Sequence, residues 1–378
     1  MADRFRVTLA QLNPTVGDLS GNAAKARSAW EQGRDAGADL VALPEMFITG
    51  YNTQDLVMKP AFQRAAIEEL RRLAATCADG PALAIGGPWI EGDELFNAYF
   101  ILRNGHMSPA TLKHHLPNET VFDEVRIFQS GALGGPFNVG NTRIGSPICE
   151  DAWHEDVAET HAETGAEFLL VPNGSPYYRS KHDTRLNQMV ARVVETELPL
   201  IYLNMVGGQD DQVFDGATFG LNPGGALAFQ MPQFDEAITH VDLEQGADGW
   251  RILTGEVHAH PSEWEQDYRV MVEALRDYMR KTGFEKVLLG LSGGVDSALV
   301  AAIAVDALGS DNVRCVMLPS EYTSKESLED AEAVANALGC RYDYVPISEG
   351  RKAITDTLAP MFEGRDPDIT EENIQSRL

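Results

Sequence analysis

The sequence is poor in cysteine, in positive charge and in long apolar stretches. Four cysteines occur among 378 residues and none forms a CxxC pair, which disfavours a disulfide scaffold or a structural zinc site. Acidic residues number 57 against 30 Lys and Arg, for a formal net charge of −27, which argues against a nucleic-acid-binding or membrane-binding surface.

No apolar run approaches the roughly 20 residues of a membrane helix. The start lacks a signal peptide and reads directly into a strand. These absences predict a cytoplasmic protein, and the length suggests two domains.

Strand-like runs alternate with helical patterns over the first 240 residues. The strand-like runs lie at 5–11, 39–45, 82–90, 97–102, 142–149, 166–173 and 198–204, and the helical patterns at 22–36, 61–76, 154–164 and 182–197. Such alternation predicts an α/β domain, with parallel strands joined by helices. Residues 217–231 read as a β-hairpin around the turn Asn222-Pro223-Gly224-Gly225.

A second unit follows a stretch that lacks a clear hydrophobic period. We place the first domain at 1–245, the linker at 246–262 and the second domain at 263–378. The second domain opens with an amphipathic helix. A strand–helix–strand–helix–strand order comes next, with strands at 287–291, 313–318 and 342–347. This order predicts a Rossmann-like parallel sheet.

The loop GLSGGVDSALV, 290–300, lies between the first strand and the first helix of that sheet. Its paired glycines let backbone N–H groups approach an anion at a helix N-terminus. Asp296 would repel a phosphate but suits a Mg²⁺ that accompanies a nucleotide. The loop lacks the lysine of a Walker motif, so a grip on pyrophosphate during adenylation is favoured over γ-phosphate hydrolysis. The candidate ATP-binding residues are Gly290, Leu291, Ser292, Gly293, Gly294, Val295, Asp296 and Ser297. The paired glycines alone would favour a turn without a ligand.

Three residues of the first domain could together hydrolyse an amide. Cys149 and Glu45 each end a strand-like run, and Lys113 is isolated from other lysines between 59 and 181. Glu45 could take the thiol proton, Cys149 could attack a carboxamide, and Lys113 could stabilise the oxyanion. Each also has an ordinary interpretation, as inert packing, a surface acid or a solvated cation. The pairs His114-His115 and His258-x-His260 fit a surface or linker better than a metal site.

Motifs around these residues resemble two known superfamilies. PEMFITGY, KHHLPN and ICEDAW resemble the nitrilase superfamily over about 1–240, which implies an αββα sandwich with a Glu–Lys–Cys triad. SGGVDS resembles the ATP-pyrophosphatase loop of N-type amidotransferases. The two together are similar to the glutamine-dependent NAD(+) synthetase family, as are LPNxxVFDE (116–124), MLPSEYTS (317–324) and EENIQSR (371–377).

That resemblance implies substrates and further site residues. The implied substrates are glutamine, Mg-ATP and nicotinic acid adenine dinucleotide, with ammonia passing through an internal tunnel of a homo-oligomer. Glutamine contacts are implied for position 119, which is Glu119 here, and for Ser175 and Lys181. Tyr51 would line the entrance, and Asn373 would lie near the dinucleotide.

Two features depart from the family pattern. Glu119-Thr120 stands where the family usually has Tyr-Gly, and the sequence ends at Leu378, where the family continues for over a hundred residues. We therefore expect the second domain to be incomplete and this 378-residue form not to make NAD. Two alternatives stay open at this point: an amidase attached to an ATP-sensing partial domain, and a plain amidase with another amide substrate.

Overall fold

The computed structural model describes residues 3–364, 366, 369, 373 and 374. The chain divides into two compact units, Met1–Val270 and Met271–Leu378. Strands of the first unit are β1 (Arg4–Gln11), β2 (Leu40–Ala42), β3 (Ala82–Glu91), β4 (Glu94–Arg103), β5 (His106–Leu112), β6 (Phe137–Val139), β7 (Thr142–Gly145), β8 (Phe168–Asn173), β9 (Leu200–Asn204), β10 (Val206–Gln209), β11 (Gln212–Asp215), β12 (Phe219–Asn222), β13 (Ala226–Gln230), β14 (Ala237–Gly246) and β15 (Gly249–Ile252). Its helices are α1 (Leu19–Asp35), α2 (Pro60–Thr76), α3 (Glu124–Ile127), α4 (Glu155–Glu163) and α5 (Lys181–Thr196).

Two sheets form the centre of the first unit. One has the strand order β15-β14-β1-β2-β3-β4-β5 and the other β13-β12-β9-β8-β7-β6, while β10 and β11 form a separate hairpin. Apolar side chains from the facing sides of both sheets share one core, including Val7, Leu9, Phe168 and Leu170. The sheets therefore pack face to face.

Helices cover the outer face of each sheet. Trp30 of α1 and Leu70 of α2 pack with Leu83 of β3 in one outer core. Met189 of α5 packs with Leu169 of β8 in the other. The predicted αββα sandwich is confirmed, and covering on both faces explains why β8 is buried along its whole length.

Local chemistry sets the ends of several elements. The Asp18 carboxylate accepts a 2.9 Å hydrogen bond from the Gly21 N–H, so α1 begins at Leu19 rather than at 22. β7 ends at Gly145, four residues before Cys149, to which the sequence-predicted strand extended. Pro147 lies in between and has no N–H to donate to a sheet ladder. A strand, β15, occupies 249–252, where the sequence indicated a linker.

The second unit is built on a parallel sheet. Helix α6 (Glu263–Thr282) begins in the first unit and ends in the second. The remaining elements are β16 (Val287–Gly290), α7 (Val295–Leu308), β17 (Val313–Met317), α8 (Lys325–Leu338), β18 (Arg341–Tyr344) and α9 (Ser348–Leu358). The sheet order is β16-β17-β18 with parallel pairing throughout. Within the described range, none of the helices combines the length and the apolar character needed to cross a bilayer.

Candidate active site

The three residues predicted for amide hydrolysis follow the carboxyl ends of strands in the first unit. Glu45 lies three residues after β2, Lys113 directly follows β5, and Cys149 opens a short 3-10 helix, Cys149–Trp153, after β7. Glu45 and Lys113 are fully buried, and Cys149 is 5% exposed. The Lys113 Nζ lies 2.7 Å from Glu45 Oε1. The fold thus brings together side chains that are far apart in sequence, at the edge where α/β proteins bind ligands.

The Glu45 carboxylate is held by several donors. Oε1 accepts hydrogen bonds from Lys113 Nζ and from Asn97 Nδ2, both at 2.7 Å. Oε2 accepts from the Gly174 backbone N–H at 2.9 Å. A buried carboxylate needs such partners because it has lost the water molecules that would otherwise hydrogen-bond to it. Its position and orientation are therefore fixed before any substrate binds.

Close packing around Glu45 requires glycine at two positions, Gly86 and Gly174. A Cβ on Gly86 of β3 would lie 2.1 Å from the Met46 backbone nitrogen and 2.6 Å from the Glu45 carbonyl carbon. A Cβ on Gly174 would lie 2.5 Å from the Tyr51 ring. Both distances are shorter than any tolerated contact, so a side chain at Gly86 would displace the backbone that carries Glu45, and one at Gly174 would displace the Tyr51 ring.

A second buried carboxylate, which the sequence did not single out as functional, completes the cluster. Glu124 begins α3 and is 1% exposed, and its Oε2 lies 2.7 Å from Lys113 Nζ. Its Oε1 accepts a 2.8 Å hydrogen bond from the Tyr51 hydroxyl. Tyr51, implied at the pocket entrance, is 2% exposed and stacks on Phe122. Glu124 is the last residue of the LPNxxVFDE stretch, and its place in that stretch is the sequence signal that could have marked it as functional.

Electrostatics assigns different protonation states to the cluster. Burial lowers the pKa of Lys113, but Glu124 and Glu45 outweigh it and the pKa lies well above its ordinary value. Burial, with the Glu45 charge, raises the pKa of the Cys149 thiol well above its ordinary value, against the opposing effect of Lys113. Burial likewise raises the pKa of Glu124, while Lys113 lowers it. The resting site thus contains a neutral thiol beside a charged ammonium.

Two of the residues implied for glutamine binding differ in their surroundings, since Ser175 is buried among polar groups and Lys181 lies against aromatic rings. Ser175 is 3% exposed, and its backbone N–H donates to Asn204 Oδ1 at 3.0 Å. The fully buried Arg185 donates to the Ser175 hydroxyl at 3.1 Å and to its carbonyl at 2.7 Å. Lys181 Nζ lies 4.3 Å from the Trp153 ring centroid and 4.6 Å from that of Tyr178, within cation–π range.

Glu119 lies in an exposed turn, where its carbonyl accepts a 3.0 Å hydrogen bond from Phe122 N–H. The next residue, Thr120, has a φ of 56°. This is the left-handed region that glycine occupies at little cost. The turn therefore has the backbone geometry for which the Gly of the usual Tyr-Gly pair is suited.

Two histidines that the sequence assigned to the surface are half-buried. The ring nitrogen Nδ1 of His114 lies 2.6 Å from the Gly131 carbonyl oxygen, and His115 Nε2 lies 2.8 Å from Asp156 Oδ1. Ligand atoms of His114, His115 and Asp156 lie within 4.8 Å of one another. They form a polar cluster just beyond Lys113.

The predicted phosphate loop of the second unit joins β16 to α7. Ser297 Oγ lies 3.0 Å from Ser292 Oγ and donates to the Gly294 carbonyl at 3.0 Å. Gly293 has a φ of 83°, and a Cβ there would lie 2.3 Å from the Ser327 carbonyl oxygen. Asp296 is exposed in the first turn of α7. A cavity of about 460 Å³ lies beside the loop and is lined by Ser292, Met317 and Tyr322 among others.

Asn373, implied near the dinucleotide, is helical and exposed. The rest of the stretch 371–377, apart from Ile374, lies outside the described residues.

Family models match both parts of the chain. The carbon-nitrogen hydrolase model matches residues 6–251, and the NAD synthase model matches 267–378. The glutamine-dependent NAD(+) synthetase of Rhodobacter capsulatus is 59% identical over 378 residues, which cover 100% of this chain and 68% of that protein. The enzyme of the same name from Thermotoga maritima is 37% identical over 408 residues, with 99% and 71% covered.

A solved structure is similar over nearly the whole chain. The glutamine-dependent NAD+ synthetase from Acinetobacter baumannii, in complex with ADP, matches with a TM-score of 0.92 and 33% identity. The match covers 99% of this chain and 71% of that one. The likeness therefore spans the sandwich and the parallel-sheet unit together.

Proposed function

The chain belongs to the glutamine-dependent NAD(+) synthetase family, and from this we propose that Glu45, Lys113 and Cys149 hydrolyse glutamine while loop 290–297 binds ATP. The activity is that of a carbon–nitrogen ligase with glutamine as the amide donor. A stand-alone amidase with an ATP-sensing partial domain is not favoured, because named relatives match across both parts of the chain.

The observation that carries the glutaminase assignment is the buried Glu45–Lys113 pair beside the Cys149 thiol. Because the resting thiol is neutral, its proton must leave as the sulfur attacks the carboxamide carbon. Glu45 takes that proton, and Lys113 donates a hydrogen bond to the oxyanion of the tetrahedral intermediate. Lys113 is held charged by two carboxylates, so it serves as a donor rather than as the base.

Glutamine hydrolysis then proceeds in two stages, formation of a thioester and its hydrolysis. When the intermediate collapses, the C–N bond breaks, the Glu45 proton passes to the leaving nitrogen, and ammonia departs from a thioester. Water then attacks the thioester and gives a proton to Glu45. The C–S bond breaks, glutamate leaves, and the proton returns to the Cys149 sulfur. Ser175 and Lys181 would hold the glutamine, with Tyr51 and position 119 beside the pocket.

The second unit would use ATP to activate a carboxylate. The proposed substrate is nicotinic acid adenine dinucleotide, whose nicotinate carboxylate displaces pyrophosphate from ATP and becomes adenylated. Ammonia attacks this carbonyl, AMP leaves, and NAD⁺ forms. The glycine-rich backbone at a helix N-terminus suits the phosphates. Asn373 would contact the dinucleotide. We further propose a cytoplasmic homo-oligomer.

Mg²⁺ would accompany the ATP at Asp296. Magnesium at nucleotide sites usually takes one or two carboxylates together with substrate phosphates and water. The exposed Asp296 carboxylate at the start of α7 fits that requirement. The ion would neutralise phosphate charge, and this chain would contribute the carboxylate and the serine hydroxyls of the loop.

The glutaminase assignment is tested by Cys149→Ala. We expect glutamate release from glutamine to fall by at least about 10³-fold, because a missing nucleophile removes the covalent route. Cys77→Ala is the matched control, since Cys77 is a buried cysteine of the same unit at the end of α2. Near-normal glutamate release by Cys149→Ala would overturn the assignment.

The nucleotide assignment is tested by calorimetric titration of ATP with and without Mg²⁺. We expect Asp296→Asn to weaken only the magnesium-dependent part of the binding. Asp306→Asn, on the same helix, should bind Mg-ATP as the unaltered protein does. Equal magnesium dependence in the Asp296 variant and the unaltered protein would remove Asp296 from the site.

A further inference from the structure

The nucleophile occupies a strained backbone position. Cys149 has a φ of 48°, in the left-handed region that non-glycine residues rarely adopt. Such a conformation persists only where surrounding bonds enforce it. The backbone N–H of Asp151 donates to the Ile148 carbonyl at 3.0 Å, which closes a tight turn around the cysteine.

The Asp151 side chain closes the same turn from the opposite direction. Its Oδ2 accepts a 3.0 Å hydrogen bond from the Ile148 backbone N–H. Ile148 and Asp151 are thus joined twice, once through each backbone N–H. Asp151 is fully buried, so water does not compete for these bonds.

The other oxygen of Asp151 reaches the segment that carries Lys113. Oδ1 accepts hydrogen bonds from the backbone N–H of His114 at 3.0 Å and of His115 at 2.7 Å. These are the two residues that follow Lys113. One carboxylate therefore links the residue before the nucleophile to the residues after the oxyanion donor.

We propose that Asp151 is a positioning residue that holds the Cys149 turn and the Lys113 segment at a fixed separation for glutamine hydrolysis. The inference rests on the proposed roles of Cys149 and Lys113. Asp151 acts through backbone amides and touches neither substrate nor reacting atoms. Its purpose is geometric, since the sulfur must approach the carboxamide carbon while the oxyanion forms within reach of Lys113 Nζ.

The arrangement needs a carboxylate rather than an amide. Three N–H donors approach from two segments, and they occupy both oxygens of the side chain. An asparagine has one acceptor oxygen, so its NH₂ group would face an N–H on one side. Burial raises the pKa of Asp151 to about 6, while the backbone N–H groups and Lys113 lower it. The group is therefore ionised at neutral pH.

The test compares Asp151→Asn with Asp156→Asn. Asp156 is a suitable control because it lies five residues on, accepts from His115 Nε2, and contacts neither Ile148 nor the backbone after Lys113 in the described structure. We expect Asp151→Asn to lower kcat for glutamine about 10²-fold, since displacing reacting groups by about 1 Å has that effect. The KM should change less than about threefold, and Asp156→Asn should keep both constants near those of the unaltered protein.

A second readout separates positioning from simple stability. The alkylation rate of Cys149 by iodoacetamide, followed by mass spectrometry of its peptide, reports thiol geometry without glutamine. We expect slower alkylation in folded Asp151→Asn and an unchanged rate in Asp156→Asn. If Asp151→Asn fails to fold, Asp151→Glu keeps two acceptor oxygens but displaces them by a methylene. It should fold and show the same loss of kcat.

Two outcomes distinguish this proposal from the function on which it rests. If Cys149→Ala is inactive but folded Asp151→Asn or Asp151→Glu keeps normal kcat and alkylation, the positioning role is overturned and the glutaminase assignment stands. If Cys149→Ala remains active, the triad itself is wrong. A loss of kcat in Asp156→Asn equal to that in Asp151→Asn would also contradict the proposal.

Discussion

Lys113 and Glu124 form a fully buried ion pair, with 2.7 Å between Nζ and Oε2. Because Lys113 also pairs with Glu45, one ammonium lies between two carboxylates. Removing one member of a buried charge cluster leaves the others poorly compensated. Glu124 therefore helps to hold the Lys113 ammonium in the position from which it would reach the oxyanion.

Glu124→Gln should lower the kcat for glutamine hydrolysis by about 10²-fold, because a loosely held oxyanion donor loses much of its contribution of about 10²–10³. With Glu124 neutralised, the Lys113 ammonium loses one of its two charged partners and is less firmly held where it would reach the oxyanion. Steady-state glutaminase assays give the measurement. Glu159→Gln, at an exposed position of α4, is the control and should retain normal kcat. Unchanged kcat in Glu124→Gln would mean that Glu124 only supports the fold.

Lys113→Arg should lose about 10²–10³-fold in glutaminase rate, as should Lys113→Ala, because a positioned oxyanion donor contributes about that much. Arginine keeps the charge, but its planar guanidinium does not fit a fully buried site shaped for an ammonium. The exposed substitution Lys59→Arg provides the comparison. Turnover at the normal rate in both Lys113 variants would show that the ammonium has no part in the chemistry.

The alternation of strand-like runs and helical patterns predicted the α/β class of the first unit, while the αββα arrangement was implied by the resemblance to the nitrilase superfamily. The bounds of the four helical patterns agree with those of α1, α2, α4 and α5 to within a few residues. Motifs around Glu45, Lys113 and Cys149 pointed to one site. Glu124 was missed as a functional residue because the LPNxxVFDE stretch gives its position but not its contacts with Lys113 and with Tyr51, 73 residues away, which only the fold brings together.

The residues around β15 show a different limit. Trp250 and Ile252 are buried and Arg251 is exposed, which is the alternation of an edge strand. Four residues are too few for that period to stand out among the neighbouring glycines and acids. Pairing with β14 decides the structure, and that pairing is a tertiary property. The positive φ of Cys149 has no signal in the sequence either, because it accompanies hydrogen bonds between Ile148 and Asp151 that the folded chain makes.

Thr120→Gly should raise the free energy of unfolding of the first unit by up to about 1 kcal/mol. A β-branched residue at φ 56° carries a left-handed strain of about 1–2 kcal/mol, and the greater freedom of glycine in the unfolded chain offsets part of that gain. Thr120→Ala removes the same side chain but keeps a Cβ, so it should not show the gain. If Thr120→Gly and Thr120→Ala have the same free energy of unfolding in urea, backbone strain at position 120 does not lower the stability of the first unit.

His161→Leu should remove part of the acid sensitivity of the first unit. His161 is fully buried in α4, and among the described residues neither ring nitrogen has a hydrogen-bond partner. Burial lowers its pKa from 6.5 to about 4. Between these values the unfolded chain binds a proton that the folded chain does not, so stability falls as the pH drops from about 6.5 to about 4.

A pKa of 6.5 in the unfolded chain and of about 4 in the folded chain is expected to cost the protein about 2 kcal/mol of stability between pH 7 and pH 5, which is only part of the full effect. Four of the five tryptophans, Trp30, Trp89, Trp153 and Trp250, lie in the first unit ahead of α6. The fifth, Trp264, is 77% exposed and changes its surroundings little on unfolding, so the change in tryptophan fluorescence during urea unfolding reports on the first unit. We expect His161→Leu to lose about 2 kcal/mol less than the unaltered protein over this interval. His106→Leu, at an exposed position of β5, should keep the full loss. If His161→Leu and the unaltered protein lose the same stability, the buried imidazole is not the group that binds the proton on unfolding.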